Sequence, residues 1–222
     1  MENTFIEQYL NGEELDTSQK ILLAALVEFG NAPVKNVGTR DIARRAGVNI
    51  AAISYYFKGK DGLYSEVINQ LICYFYKTAS DFYKRFEILK KSPNKSDALQ
   101  LMRDYISWRI LSVNELDDEL FKSIISIIVR EELNNTANFK KVYTNLISRT
   151  DELLSECIKM ILGKTIDNET ARIMAVSIIG ALIRFNTASE SVKLTMGWSE
   201  FTHAKRQKVK TALLSMLDKI LS

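Results

Sequence analysis

Cysteine, histidine, proline and glycine are all scarce in this chain of 222 residues, and each scarcity excludes something. The two cysteines, Cys73 and Cys157, cannot form a disulfide scaffold, lack CxxC spacing and sit inside helical patterns, where buried small apolar residues are expected. A single histidine, His203, leaves no His pair for a metal and no ready general base. No metal, no cofactor and no catalytic residue is therefore expected, and the chain reads as a non-enzyme. Two Pro and nine Gly exclude collagen-like and low-complexity classes. No apolar run approaches the roughly 18 residues of a membrane span, and the acidic N-terminus is unlike a signal peptide. A cytoplasmic location without a membrane partner is the expectation. Gly59-Lys60 lacks the upstream Gly and downstream Ser/Thr of a phosphate-binding P-loop.

What is present is unevenly placed. The formal charge of +3 averages over very different segments. Residues 1–16 carry five acids and no base, an acidic N-terminal tail, whereas residues 17–60 carry seven bases (Lys20, Lys35, Arg40, Arg44, Arg45, Lys58, Lys60) against Glu28 and Asp41. A compact basic segment points toward a polyanion, weakly when taken alone. Six of the nine glycines fall in the first 62 residues and none lies between Leu63 and Leu162, so the front should hold short helices and the middle long ones.

Helical periodicity dominates, and no period-2 strand is convincing. A first helix over Ser18–Phe29 is expected with Asp16 or Thr17 as N-cap and Gly30 as its stop. Short helices follow at about Thr39–Ala46 and Ile50–Phe57, the latter capped by Asn49. A long helix should run from Asp61 to about Lys90. Further helices are expected at 97–112, 118–133, 137–162, 168–188 and 200–221. The expected fold is all-α, with an N-terminal three-helix domain and a C-terminal helical bundle.

The segment Thr39–Phe57 reads T-R-D-I-A-R-R-A-G-V-N-I-A-A-I-S-Y-Y-F, two helices of about eight residues joined by a turn that holds a glycine. Gly47 permits the sharp reversal of a helix-turn-helix, and Ala43 permits close crossing. At 100° per residue Ile50, Ile53 and Phe57 face inward, with Ile42 and Val48 completing a small core. Ala51, Ala52, Tyr55 and Tyr56 then point outward with Ser54 on the flank. Methyl groups there suit thymine methyls, and Tyr and Ser hydroxyls suit phosphates or base edges. A plain helical corner with two surface tyrosines is the alternative.

Thr39-Arg40-Asp41-Ile42-Ala43, Ala46-Gly47-Val48-Asn49, Tyr55-Tyr56-Phe57 and Lys60-Asp61-Gly62-Leu63-Tyr64 resemble the N-terminal signature of tetracycline-repressor (TetR) family regulators. The match covers about residues 17–68. Val129-Arg130-Glu131-Glu132 and Met196-Gly197-Trp198 are similar to one subgroup's C-terminal domain. The resemblance implies a helix-turn-helix DNA-binding domain over 17–62 and a ligand-binding and dimerisation domain over 63–222. It also implies DNA contacts by Thr39, Arg40, Asn49, Ala51, Ala52, Ser54, Tyr55, Tyr56 and Lys60, with Lys60 clamping a phosphate. Ile50, Ala51 and Ala52 depart from the long polar residue frequent on this helix, which leaves specificity to Arg40, thymine methyls and DNA shape.

Phe75, Phe82, Tyr105, Trp108, Phe121 and Phe185 could line a cavity for an apolar or aromatic effector, with ordinary core as the alternative; Arg130 could face a ligand carboxylate, with a salt bridge to Glu131, Glu132 or another helix the favoured alternative. Ala175, Ile179 and Leu182 with Val209, Leu213, Met216 and Ile220 form two apolar stripes. The resemblance implies that such helices pack as a four-helix dimer interface; internal core is the alternative. The reading is a homodimeric, small-molecule-responsive transcriptional regulator, expected to be a repressor. Its partners would be a double-stranded, pseudo-palindromic operator and an effector of unknown identity. A helical module that binds small molecules or proteins, and does not use its helix-turn-helix on DNA, is the alternative.

Overall fold

The computed structural model describes residues 3–111, 118–186 and 190–221. Among these every regular element is helical: α1 (Phe5–Leu10), α2 (Thr17–Asn31), α3 (Thr39–Ala46), α4 (Ala51–Phe57), α5 (Lys60–Thr78), α6 (Ser80–Lys91), α7 (Lys95–Leu111), α8 (Asp118–Asn134), α9 (Ala137–Val142), α10 (Ser148–Leu162), α11 (Asn168–Asn186), α12 (Glu190–Met196) and α13 (His203–Leu221). The fold is all-α. It divides into two compact units, Met1–Thr78 with Glu115–Leu146, and Ala79–Asn114 with Ile147–Ser222.

In the first unit, α1 lies within the segment read as an acidic tail. Thr4 and Glu7 close a capping box over its first turn. Phe5 and Ile6 are buried, and the helix packs on α2 and α5. Asp16 caps α2 through the Gln19 backbone N–H. That helix continues through Gly30, which is a contact and not a stop: a Cβ there would lie 2.3 Å from the Ser123 Cβ. The absent side chain lets α8 lie against α2.

The expected 61–90 helix is interrupted at Ala79, between α5 and α6. Thr78 donates its hydroxyl to the Phe75 carbonyl at 3.1 Å, a local bond that competes with the helical ladder. The expected 137–162 helix is likewise two helices, joined by the π-helical stretch Tyr143–Ile147. Both departures coincide with the edges of the compact units.

The second unit is held by an apolar core. Leu101, Met102, Tyr105, Ile106, Leu153, Leu154, Cys157 and Ile158 are buried together with Ala171, Ala175, Leu182 and Val209. Burial pushes the Cys157 thiol up to about 12. Cys73, expected to be buried, is exposed on α5. Asn94 accepts the Asp97 backbone N–H through its side chain, which starts α7 two residues earlier than its apolar spacing indicates.

Candidate nucleic-acid interface

The turn between α3 and α4 follows from Gly47, whose φ of 67° is the left-handed conformation that an L side chain disfavours. Val48 N–H donates to the Ala43 carbonyl and Gly47 N–H to that of Arg44, a Schellman ending. Asn49 then starts α4: its side-chain oxygen accepts the Ala51 N–H at 2.9 Å. That bond gives Asn49 a structural role beside the DNA contact expected of it.

Between the two helices Ile42 and Ile53 are wholly buried, as their spacing implies. Ile50, expected to face inward, is instead 42% exposed. It sits in the turn before α4 and not on the helix proper, so the 100° wheel does not apply to it. On α4, Ala51, Ser54, Tyr55 and Tyr56 are exposed and Ala52 is half-buried. Tyr55 is 82% exposed, and its ring stands edge-on to Tyr56 at 4.9 Å. Ile50, Ala51, Ser54 and Tyr55 therefore form a solvent-facing strip of aliphatic groups, one hydroxyl and one phenol.

At the start of α3, Gly38 supplies no capping side chain. Thr39 is half-buried and Arg40 is exposed with no ion pair to a described residue. The neighbouring bases are committed elsewhere: Arg44 to Asp41 at 2.7 Å, and Arg45 to Glu28 at 2.7 Å and Glu119 at 3.5 Å. Lys60 reaches back from the first turn of α5 to the Val37 carbonyl at 3.1 Å and, more weakly, to that of Lys35 at 3.5 Å. Its ammonium thus holds the loop that delivers Thr39.

The residues expected around an effector are divided. Phe82, Tyr105 and Trp108 come together in the second unit, with centroids 5.1 to 5.6 Å apart. The hydroxyls of Tyr83 and Tyr105 both meet Thr150 Oγ1, at 3.3 and 3.2 Å, and burial raises the Tyr83 phenol above its ordinary value. Phe185 packs against the same core. Phe75, Phe121 and Arg130 belong to the first unit. The Arg130 guanidinium donates to the carbonyls of Phe29, Gly30 and Ala32 at the end of α2, partners that were not expected of it.

The apolar stripes divide similarly. Ala175, Leu182 and Val209 are buried in the core of the second unit, and Ile179 and Leu213 are half-buried. Met216 and Ile220 are each 56% exposed. On α11 the open apolar face is Ile173, Val176 and Ile183, which the sequence stripe missed. All the apolar residues of α11 look alike on a periodicity plot; only the packing of α7 and α10 against it decides which are covered.

Among the described residues no group of His, Cys, Asp or Glu could hold a metal ion, and no single helix is long and apolar enough to cross a membrane.

Residues 21–67 match the model for bacterial regulatory proteins of the tetR family. Residues 109–222 match that for the C-terminal domain of the HTH-type transcriptional dual regulator CecR. The CecR regulator of Shigella flexneri is 27% identical over 215 residues, covering 96% of this chain and 93% of that protein. Among solved structures, AibR in complex with isovaleryl coenzyme A and operator DNA is 14% identical over 90% of this chain and 97% of that one, with a TM-score of 0.63. NalD of Pseudomonas aeruginosa, the secondary repressor of the MexAB-OprM multidrug efflux pump, is 18% identical over 91% and 95%, with a TM-score of 0.59.

Proposed function

Because the chain belongs to the TetR family of bacterial transcriptional regulators, with a C-terminal domain of the CecR type, we propose that it is a homodimeric repressor that reads a pseudo-palindromic operator and is released by a small molecule. The observation that carries the DNA reading is the solvent-facing strip of Ile50, Ala51, Ser54 and Tyr55, together with the exposed Arg40, which has no ion pair to a described residue. In this reading Thr39, Arg40 and Lys60 meet phosphate or a base edge, Asn49, Tyr55 and Tyr56 meet phosphate and bases, and Ala51, Ala52 and Ser54 line the groove floor. Two such helices would enter successive major grooves about 34 Å apart.

Dimerisation is supported by the open apolar residues Ile173, Val176 and Ile183 on α11 and Met216 and Ile220 on α13. Two such faces would form a four-helix interface. An effector of apolar or aromatic character is supported by the Phe82, Tyr105 and Trp108 cluster and the hydroxyls that meet at Thr150. AibR, which shares the fold, was crystallised with both a coenzyme A thioester and operator DNA.

Selection of duplexes from a random-sequence pool, followed by a gel shift, tests the reading. A recovered inverted repeat is expected, with Arg40→Ala lowering the slope of log affinity against log salt by about one. Failure to enrich any sequence would remove DNA recognition. In sedimentation a dimer is expected, and Val176→Glu with Ile183→Glu should yield a monomer.

A further inference from the structure

A helix ends with four backbone carbonyls that lack intrahelical partners, and most helices satisfy them locally, with a glycine turn or a basic residue in the last turn. Helix α2 has neither. No basic residue lies in its last turn, and its C-cap Ala32 is extended, at φ −147° and ψ 156°. The missing cap arrives from about a hundred residues further along the chain. Arg130 on α8 donates from Nη1 to the Phe29 carbonyl at 2.6 Å and the Ala32 carbonyl at 3.0 Å, and from Nη2 to the Gly30 carbonyl at 3.0 Å. A planar guanidinium suits three converging carbonyls; a lysine ammonium would be a single point.

Arg130 does not act on an isolated helix end. Ala32 opens the loop that leads to Thr39 and Arg40, and Lys60 holds the far end of that loop by the Val37 carbonyl. The next residue on α8, Glu131, is buried and accepts the Tyr64 hydroxyl at 2.8 Å, as well as that of Thr136. Burial, with the Glu131 hydrogen bond second, raises the Tyr64 phenol, which keeps it a donor. The Tyr64 ring stands edge-on to Phe29 at 4.9 Å. Phe29, Arg130, Glu131 and Tyr64 thereby close a circuit that joins α2, α5 and α8. The loop into the helix-turn-helix hangs from this circuit, fixed at one end by Arg130 and at the other by the first residue of α5.

Resting on the DNA-binding reading above, we propose that Arg130 is a positioning residue for operator recognition. By capping α2 from α8 it fixes where the loop of residues 32–38 begins, and so where Thr39, Arg40 and the groove-facing strip of α4 are presented. It touches no phosphate itself. Its loss should therefore damage sequence-specific binding, which needs the strip in register, more than non-specific binding, which needs only charge.

The test uses the full-length chain, a duplex selected by the wild type from a random pool, and an unselected random duplex. Arg130→Met keeps the apolar stem and removes the donors. It should bind the selected duplex about tenfold more weakly, with less than about a twofold loss on random duplex and an unchanged salt slope. Arg130→Lys, which keeps the charge but not the fork, should show the same selective loss, smaller, at about threefold. Equal affinity for the selected duplex would overturn the proposal. So would equal losses on both duplexes with a slope reduced by about one, which would make Arg130 a phosphate contact. If Arg130→Met does not fold by circular dichroism, Arg130→Lys decides alone, and wild-type affinity in it overturns the proposal. If the wild type selects no sequence at all, the DNA reading fails, a different result from wild-type selection with indifferent Arg130 variants.

Discussion

Each compact unit has its own apolar core, and the two differ in where polar side chains tie their helices. In the unit that carries the helix-turn-helix, polar side chains span long stretches of chain: Arg130 to the end of α2, Glu131 to Tyr64, Arg45 to Glu28, Lys60 to Val37, and Lys77 to Glu7. In the other unit Leu153, Leu154, Cys157 and Ile158 of α10 are buried against α7 and α11, and polar ties run from Tyr83 and Tyr105 to Thr150 and from Arg206 to the Ile110 carbonyl. The ion pairs of both units, such as Arg45–Glu28 and Arg85–Asp104, sit at partly exposed positions, where such pairs contribute little. The polar ties around α3 and α4 have a physical source. Helices of seven or eight residues that must leave one face open, as α3 and α4 do, cannot bury enough apolar area to fix their own geometry. Directional bonds supply the missing precision. The long helices α7, α10, α11 and α13 bury more apolar surface of their own.

Four substitutions sharpen or break this contrast. The largest effect belongs to the second unit. Leu154→Ala, at a wholly buried position, should cost about 2–5 kcal/mol in denaturant unfolding, and a cost under about 1 kcal/mol would mean that its core is loosely packed. Next, Gly30→Ala places a Cβ 2.3 Å from the Ser123 Cβ, so α2 and α8 must separate. A loss of about 1–3 kcal/mol is expected, with operator affinity falling more than the melting temperature predicts. Unchanged stability would mean that the two helices are free to slide.

Tyr55→Ala should leave unfolding within about 0.5 kcal/mol, because the ring is 82% exposed, yet weaken operator binding about tenfold. Intact DNA affinity would remove Tyr55 from the recognition strip. The smallest effect concerns Asp16. The Gln19 backbone N–H first, and then the Ser18 hydroxyl, hold its carboxyl below the usual carboxylate value. The charged form is thus favoured in the folded state. Its capping contribution is complete above the unfolded carboxylate's pKa and is lost as pH falls through the folded one. Asp16→Ala should cost about 1 kcal/mol at neutral pH and progressively less in acid, read from melts across pH 2–7. A cost that does not vary with pH would assign the cap to shape alone.

The helix-turn-helix was legible because its signals are local. Gly47 at a left-handed turn, Asn49 before the second helix, and Ile42 and Ile53 at core spacing all act within a few residues of one another. Ile50 was misread because the periodicity of α4 was extended one residue into the turn. Arg130 had no such signal. A basic residue amid apolar positions looks the same whether it faces a ligand or a carbonyl, and its partners lie about a hundred residues away. Ala175, Leu182 and Val209 were indistinguishable from their exposed neighbours for a related reason: helical period identifies an apolar face but not what covers it.

The amino-acid sequence by itself determined the all-α class, the helix-turn-helix and the basic charge of the front segment, because helix period, caps and turn glycines are short-range properties. Tertiary structure alone decided which helix ends need a cap from elsewhere. It also decided that α1 docks where an acidic tail was expected, that the long helix breaks at Ala79, and which apolar face stays open. Those outcomes depend on which elements compete for the same surface, and that competition is settled only when the whole chain packs.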